Sequence, residues 1–326
     1  MLQCVVMIRC VPAIGVTLAV VLAGPVGRPQ PKPSAPAAKL SQASILPATV
    51  PYDLRHGLLL VPVAVGTAAT EPAALDTGLP TSVMGAQLAQ TIRLAGGPIT
   101  EVRCPTGALK LASAPAQLVR IAGMVLTDVP FCVGDVVGQL SARSLEDAPR
   151  LWLGASALAG LSVTIDPGSR DVTFRAAGAP LPNHAPTAPI RVVGPHIVVN
   201  VRVNEGRPFA AIVDTGSAGT LIPAATAREL KLAPSVTVPI RRADGKDARA
   251  CLVRLRELRV GAVTLKDAAA YYLDGVPEEE AATAVLGTDL LLRHRVTIDR
   301  QRKRIAFEKV EAPSPPPSST RRGETP

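Results

Sequence analysis

The chain has 326 residues, of which 47% are hydrophobic and only 2% aromatic, with a formal net charge of +9. This length and composition predict a folded protein with room for two domains, whose cores are built from Val, Leu, Ile and Ala. The basic residues are scattered except in Arg293–Arg304, where no RNA-stacking aromatic residue accompanies them, so nucleic acid is not predicted as a partner.

Residues 1–23 have the pattern of a targeting segment. Arg9 is followed by the apolar run Val11–Ala23, which is too short for a comfortable membrane span but fits the core of a signal peptide. An uncleaved short anchor, which would tether the protein to a membrane, is the alternative. Both interpretations predict a periplasmic, secreted or envelope-anchored protein, with residues 24–49 as a Pro/Ala-rich linker.

The chain contains an internal repeat. A shift of 138 residues places Ala73–Gly78 on Ala211–Gly216, and a shift of 133 places Leu153–Phe174 on Leu286–Phe307. The repeat predicts one unit over residues 50–175 and a second over 190–310, joined by a linker at 176–189. The Pro- and Ser-rich residues 311–326 are predicted to be a disordered tail.

Each repeat predicts the same order of elements. The first strand is Leu58–Val65 in one copy and Ile197–Val203 in the other, and a further apolar strand leads into Asp-Thr-Gly. Short helices are predicted at Ala86–Leu94 and Ala224–Leu232, followed by hairpins and a closing strand pair. The chain is therefore predicted to be all-β, that is, β-rich with short helices.

Two acidic residues, Asp76 and Asp214, occupy equivalent positions in the repeats. A pseudo-two-fold axis relating the repeats would bring their carboxyl groups together. Two carboxylates held about 3 Å apart do not both ionise readily and share one proton. Such a pair can activate a water molecule with one carboxylate and protonate a carbonyl oxygen with the other.

The residues that follow each acid suit supporting roles. The hydroxyl groups of Thr77 and Thr215 are placed to tie the two turns together by hydrogen bonds. Gly78 and Gly216 allow a tight turn and let a backbone amide approach the carboxylate.

These motifs resemble those of the pepsin-type aspartic proteases, and most closely the retropepsin-like bacterial aspartyl proteases. The resemblance rests on Ile212–Ala218, on Val285–Gly287 and on the basic turn and strand of Val296–Phe307. The first copy supplies the matching segments Ala74–Gly78 and Leu151–Gly154. The resemblance implies a duplicated acid-protease β-barrel fold made of two fused retropepsin-like units.

The resemblance also implies a function. Asp76 and Asp214 would be the catalytic pair of an aspartic endopeptidase that cleaves peptides or unfolded proteins, without a cofactor or metal. A monomer would act as an intramolecular pseudo-dimer. The alternatives are a catalytically silent peptide-binding module of the same fold in the cell envelope and a structural envelope protein.

The first copy departs from the family pattern after its glycine. Ser217 is the small residue expected there, whereas Leu79 is bulky. We therefore expect the Ser217 hydroxyl to donate a hydrogen bond to Asp214 and favour its ionised form, which would leave Asp76 more often protonated.

Other residues are assigned structural roles. Asp166 and Asp299 are predicted to be turn acids, and the four histidines show no metal-ligand spacing. Hairpins that resemble protease flaps are expected near Cys104–Lys110 and Arg241–Lys246. A bond between Cys104 and Cys132 and three separate thiols, with Cys251 as the third, both remain open.

Overall fold

The computed structural model describes the main chain of residues 5–9, 17–21, 37–104, 107–134, 149–241, 247–282 and 284–310. Within these ranges strands predominate and helices are short. The helices are α1 (Ala86–Thr91), α2 (Ala155–Leu158), α3 (Ala224–Glu229), α4 (Glu278–Ala281) and α5 (Thr288–Leu291). No helix among the described residues has both the length and the apolar character needed to span a membrane.

The strands fall in two series along the chain. The first series is β1 (Val5–Arg9), β2 (Thr17–Val21), β3 (Lys39–Leu40), β4 (Ala48–Pro51), β5 (Asp53–Arg55), β6 (Leu58–Val65), β7 (Glu71–Leu75), β8 (Ser82–Met84), β9 (Ile99–Cys104), β10 (Gly107–Ile121), β11 (Met124–Val133), β12 (Leu151–Leu153), β13 (Leu161–Asp166) and β14 (Asp171–Ala176). The second series is β15 (Thr187–Val193), β16 (His196–Val203), β17 (Phe209–Val213), β18 (Val236–Arg241), β19 (Asp247–Val260), β20 (Val263–Asp274), β21 (Val285–Leu286), β22 (His294–Asp299) and β23 (Arg304–Lys309).

A six-stranded antiparallel layer joins the two halves of the chain, in the order β15-β23-β22-β13-β14-β4. Its two central strands, β13 and β22, pair so that Thr164 lies opposite Thr297. These two residues are equivalents in the repeat, and their hydroxyl groups are 2.9 Å apart. The pseudo-two-fold axis therefore passes between them, and the layer is symmetric about it.

Each half repeats one unusual pairing around its Asp-Thr-Gly turn. Strand β7 runs parallel to β12, with Leu75 opposite Leu153. Strand β17 runs parallel to β21 in the same way, with Val213 opposite Leu286. The late Leu-Gly segment of each copy is thus the neighbour of the strand that ends at the acid, although it lies far away in sequence.

Two apolar clusters form the cores, one from residues between Ala38 and Phe174 and the other from residues between Ala188 and Phe307. Both are dominated by Val, Leu, Ile and Ala, as the composition predicts. Burial of these side chains, at about 25 cal/mol per Å² of apolar surface, is the main favourable term in folding.

Both predicted helices end earlier than the sequence suggested. Arg93 and Lys231, which are equivalent in the repeat, adopt positive φ angles of 54° and 51°. The amide of Leu94 then donates to the Ala89 carbonyl, and the same bond closes the second helix. A helix end with this left-handed backbone usually carries glycine, so Arg93 and Lys231 did not indicate in the sequence that the helices end there.

The prediction of a linker over residues 24–49 extends too far, because its C-terminal part contains strand β3 and the start of β4. Strand β3 pairs with β11, and β4 joins the central layer beside β14. The two strands lie in Pro- and Ala-rich sequence whose composition favours a linker, but their backbone groups pair with sheet edges. The tail at 311–326 lies outside the described residues, and the signal peptide or anchor stays a prediction.

Two expectations from the sequence concern hairpins and cysteines. Strands β9 and β10 pair antiparallel, as do β18 and β19, next to the two predicted flap-like hairpins, whose turn residues 105–106 and 242–246 lie outside the described residues. Cys132 and Cys251 are buried free thiols, so the structure contains no Cys104–Cys132 disulfide.

Candidate active site

Asp76 and Asp214 each follow a buried strand, β7 and β17. The Asp76 amide donates to the carbonyl of Leu153 at 2.9 Å, and the Asp214 amide donates to the carbonyl of Leu286 at 3.1 Å. These bonds extend the parallel pairings by one residue and fix where each acid leaves its strand. The two acids are 1% and 0% exposed, so their carboxyl groups depend on the protein for hydrogen bonds.

The threonines of the two turns are cross-linked about the pseudo-two-fold axis. The Thr77 amide donates to Oγ1 of Thr215 at 3.0 Å, and the Thr215 amide donates to Oγ1 of Thr77 at 3.1 Å. Each hydroxyl then donates across to the opposite strand, Thr77 to the Val213 carbonyl at 2.8 Å and Thr215 to the Leu75 carbonyl at 2.6 Å. This is the tie between turns that the sequence predicts.

Each glycine makes room for the carboxyl group of the opposite half. A Cβ atom on Gly78 would collide with the carboxyl group of Asp214, and one on Gly216 would collide with that of Asp76. The two carboxyl groups therefore face each other across the axis, and the glycines are needed for their close approach.

The amides around the two carboxyl groups are not arranged symmetrically. Oδ1 of Asp76 accepts hydrogen bonds from the amides of Gly78 at 3.0 Å and Leu79 at 2.8 Å. Oδ1 of Asp214 accepts one from Gly216 at 2.8 Å. The Oδ2 atoms of both are buried and have no hydrogen-bond partner among the described residues.

This environment raises the pKa of both carboxyl groups above the ordinary Asp value. Burial is the largest cause for each, because the charged form loses its hydration. The pKa of Asp214 is raised further by the negative charge of Asp76. For Asp76, hydrogen bonds from the amides of Leu79 and Gly78 oppose the rise in pKa. The two carboxyl groups therefore titrate as one coupled pair.

The prediction about Ser217 is wrong. Its hydroxyl donates to the Gly219 carbonyl at 2.7 Å rather than to Asp214. The additional donor belongs instead to the backbone of Leu79, whose side chain is buried with 4% exposure. The ionised form is thus favoured at Asp76, the opposite of the expectation, because a backbone amide rather than a side chain makes the difference.

The late Leu-Gly segments close around the two turns. The Ala155 amide donates to the Leu79 carbonyl at 2.6 Å, and the Thr288 amide donates to the Ser217 carbonyl at 2.8 Å. A Cβ on Gly154 would collide with the backbone of Thr81. Glycine is therefore required where this loop crosses the turn, as the resemblance implied.

One polar contact in the second half was not predicted from the sequence. Thr220 donates to Oδ1 of Asp289 at 2.8 Å, and its own hydroxyl oxygen accepts from the Gly287 amide at 3.1 Å. Burial raises the pKa of Asp289 to about 6. In the first half Ser82 accepts the corresponding amide, while the Oγ of Ser156 is buried without a partner among the described residues. In the sequence, only the difference between Asp289 and Ser156, at equivalent positions of the repeat, pointed to this contact.

The other acids have the structural roles that the sequence predicts. Asp166 accepts the amides of Gly168 and Ser169 in its turn. Asp299 accepts the Arg302 amide with one oxygen and the Gly178 amide with the other, which ties the linker to the second half. Within the described ranges, no group of three His, Cys, Asp or Glu side chains is placed to hold a metal ion.

Comparisons with known proteins agree with this geometry. Residues 199–290 match the aspartyl protease family. The crystal structure of aspartic proteinase from Irpex lacteus is similar with a TM-score of 0.52 and 18% identity, over 81% of this chain and 97% of that chain. At that identity the likeness shows the fold alone. A search of curated proteins gives no significant match.

The second half of the chain thus resembles the aspartyl protease family, and the two halves together have the fold of an aspartic proteinase.

Proposed function

We propose that the protein is an aspartic endopeptidase that hydrolyses peptide bonds with a water molecule activated between Asp76 and Asp214. The observation that carries this proposal is the pair of buried carboxyl groups facing each other at the pseudo-two-fold axis, each against the glycine of the other turn. Such a pair holds one proton and thus supplies a general base and a general acid together.

The asymmetric hydrogen bonds assign the two roles. Asp76, with two backbone donors, is the ionised base, and Asp214 is the protonated acid. Asp76 takes a proton from water while the water oxygen bonds to the peptide carbonyl carbon. Asp214 gives its proton to the carbonyl oxygen, which produces a neutral tetrahedral diol.

Collapse of the diol completes the reaction. The proton on Asp76 passes to the peptide nitrogen, the C–N bond breaks, and a diol hydroxyl returns its proton to Asp214. The products are a carboxylic acid and an amine, and both aspartates recover their starting forms. No covalent intermediate with the enzyme forms, so no side-chain nucleophile is required.

We further propose that peptides or unfolded proteins are the substrates and that a single chain is the active unit. One chain supplies both aspartates and both threonines of the cross-link, so the site does not need a second copy. The N-terminal sequence pattern supports export to the periplasm, to the outside of the cell or to the envelope.

The test is cleavage of an unfolded protein between about pH 3 and pH 7 by the full chain and by Asp76→Asn and Asp214→Asn. General acid–base catalysis contributes about 10²–10⁴-fold, so each variant is expected to lose at least 100-fold in activity. Asp166→Asn, a turn acid outside the pair, is the matched control and should retain cleavage. Binding of peptide without cleavage by the unsubstituted chain would instead establish a silent peptide-binding module.

A further inference from the structure

In the first half, the segment that precedes β4 adds a short strand to the outer edge of β11. Strand β3 pairs antiparallel with Leu126 and Thr127. The Ser41 amide then donates to the Val125 carbonyl at 2.9 Å, and the Val125 amide donates to Oγ of Ser44 at 3.0 Å. Both backbone groups of Val125 therefore point away from β10 and towards this segment.

Strand β20 is the equivalent of β11 in the second half. The β10–β11 hairpin places Arg120 opposite Val125, and the β19–β20 hairpin places Arg259 opposite Thr264, each one pair from the turn. Thr264 therefore corresponds to Val125, and its backbone groups point away from β19 in the same way. Among the described residues no strand pairs with this side of β20 over residues 263–267, which we call the open edge.

The connection between the two halves explains why this edge stays open. The residues that precede β15 are the linker, which has to begin at the end of β14 rather than beside β20. The linker is held near its start, because Asp299 accepts the Gly178 amide and Arg302 donates to the Gly178 carbonyl at 2.7 Å. Its last residues, 183–186, reach the region of the open edge without pairing with it.

A cavity of about 440 Å³ lies beside the open edge. Its lining comes from Val263 and Thr264, from the end of the linker, and from His294 and Phe307 of the closing strands. Ligand pockets have volumes of about 300–1,000 Å³ and mainly apolar walls with a few polar groups. In the first half, Leu40 of β3 packs against the core. The cavity therefore suits an aliphatic side chain on an extended backbone.

The open edge also carries an acidic residue whose counterpart in the first half binds a lysine. Nζ of Lys39 lies 3.0 Å from Oδ2 of Asp128. Asp267 corresponds to Asp128, and both have a left-handed backbone, with φ angles of 49° and 57°. Within the described ranges no basic side chain forms a salt bridge with Asp267. The charge of the open edge is thus complementary to a basic residue.

One exposed side chain protects part of this edge. Nη1 of Arg293 donates to the Lys266 carbonyl at 3.1 Å, whereas the equivalent position in the first half is Gly160. Charged side chains commonly shield an exposed strand edge from unwanted pairing. Because this hydrogen bond is exposed to solvent, the backbone amide of an incoming strand can replace it.

We propose that the open edge of β20 binds an extended peptide segment of a partner protein, which presents a basic residue followed by an aliphatic one. The segment adds to the sheet as a strand, so main-chain hydrogen bonds give affinity and side-chain contacts give specificity. Asp267 pairs with the basic residue, and the cavity takes the aliphatic side chain. The residues that line the cavity include none from the Asp-Thr-Gly turns, so this site goes beyond the proposed function.

The probe that tests the proposal is a fluorescently labelled synthetic peptide of residues 38–44, the segment that pairs with β11 in the first half. Fluorescence anisotropy measures its binding to the full-length chain, with a peptide of the same composition in scrambled order as the reference. We expect saturable binding of the probe and not of the scrambled peptide. Equal behaviour of the two peptides would overturn the proposal.

A matched pair of variants locates the binding at the open edge. Thr264→Pro removes the amide that faces this edge, and Thr264→Val retains it. Proline is tolerated at the unpaired side of an edge strand. Loss of the hydrogen bond should weaken the probe about five-fold or more in Thr264→Pro and leave its affinity unchanged in Thr264→Val. The same affinity for both variants would contradict strand addition at β20.

A charge swap tests the same site without changing the backbone. Asp267→Lys should weaken the probe about two- to five-fold, as expected for an exposed ion pair. A probe carrying Lys39→Glu should bind this variant more tightly than it binds the unsubstituted chain. Arg293→Ala should strengthen binding of the original probe, because it frees the Lys266 carbonyl. If the altered probe does not recover affinity, the peptide binds elsewhere and the proposal fails.

Three controls exclude other occupants and the cleft. Asp214→Asn should bind the probe as the unsubstituted chain does, since a loss there would locate the peptide at the aspartate pair and overturn the proposal. Removal of residues 311–326 should also leave the affinity unchanged. Binding only after that removal would assign the edge to the chain's own C-terminal segment. A dimer of the chain that the probe dissociates would assign it to a second copy, and either result would overturn the assignment to a partner.

Discussion

The turns of the two halves share their backbone course but differ in what supports the acid. Each places an aspartate after a strand paired in parallel and each exchanges threonine hydrogen bonds with the other. Asp76 accepts two backbone amides, however, whereas Asp214 accepts one. The turn with the less typical sequence, containing Leu79, thus supports the ionised carboxylate better. A symmetric fold can therefore assign unequal roles to equivalent residues through backbone hydrogen bonds alone.

The largest effect is expected from filling the space between the carboxyl groups. Gly78→Ala and Gly216→Ala each place a methyl group against the aspartate of the other half. Either should reduce cleavage at least 100-fold and lower the free energy of unfolding by about 1–3 kcal/mol, since overpacking forces backbone shifts. Cleavage kinetics and denaturant unfolding measure the two effects. Gly160→Ala, where a Cβ meets no atom within 4 Å, is the control.

The threonine cross-link should show the symmetry of the two halves. Thr77→Val and Thr215→Val each remove one hydroxyl that donates to a buried carbonyl and accepts a buried amide. Leaving such groups unpaired costs about 1–3 kcal/mol each, so both variants should unfold at lower denaturant concentration, by similar amounts. A large loss in one variant and none in the other would contradict the symmetric role.

Asp289 provides a stability difference that depends on pH. Its pKa is raised from 3.8 to about 6 by burial, so the folded state binds its proton more tightly than the unfolded state. Its contribution to stability is therefore fully present below about pH 4 and is lost as the pH rises to about 6. Asp289 is exposed as a whole residue, so solvent screening reduces the size of this loss.

Asp289→Asn should therefore flatten the fall in unfolding free energy between about pH 4 and pH 6. Ser156→Ala, at the equivalent position of the first half, leaves no titrating group changed and should keep the fall intact. Urea unfolding at several pH values makes the comparison. An unchanged pH dependence in Asp289→Asn would show that this carboxyl group does not titrate with the raised pKa that its desolvation implies.

The smallest effect is expected from Ser217→Ala. Its hydroxyl donates to the Gly219 carbonyl, so its loss should cost about 1 kcal/mol of stability and leave the carboxyl titration nearly unchanged. The pH dependence of cleavage measures this directly. A clear shift of the acid limb would restore the interpretation in which the Ser217 side chain supports Asp214.

The sequence predicted the strands and the paired acids well. The pattern of apolar residues indicates the strands, and the internal repeat identifies the two acids as equivalent. Strand β6 matches the predicted Leu58–Val65, and Thr77 and Thr215 bond as expected. The support given by Leu79 was not predictable, since any residue supplies an amide and the sequence does not show where it points. The left-handed helix end at Arg93 was missed for a similar reason, because no glycine marks it.

Contacts between residues far apart in the sequence were also not predicted. The contact of Thr220 with Asp289 joins residues 69 positions apart. Such pairs follow from the register of the sheets, which the sequence defines only after the fold is known.

The most direct test of the account is the titration of the Asp76 and Asp214 carboxyl groups in the unsubstituted protein by site-assigned ¹³C NMR. The account predicts two well-separated steps, both above the ordinary Asp range, with Asp76 ionising in the first step and Asp214 retaining the proton. Two independent titrations near the ordinary value, or ionisation of Asp214 first, would contradict the shared proton and the roles assigned to the two halves.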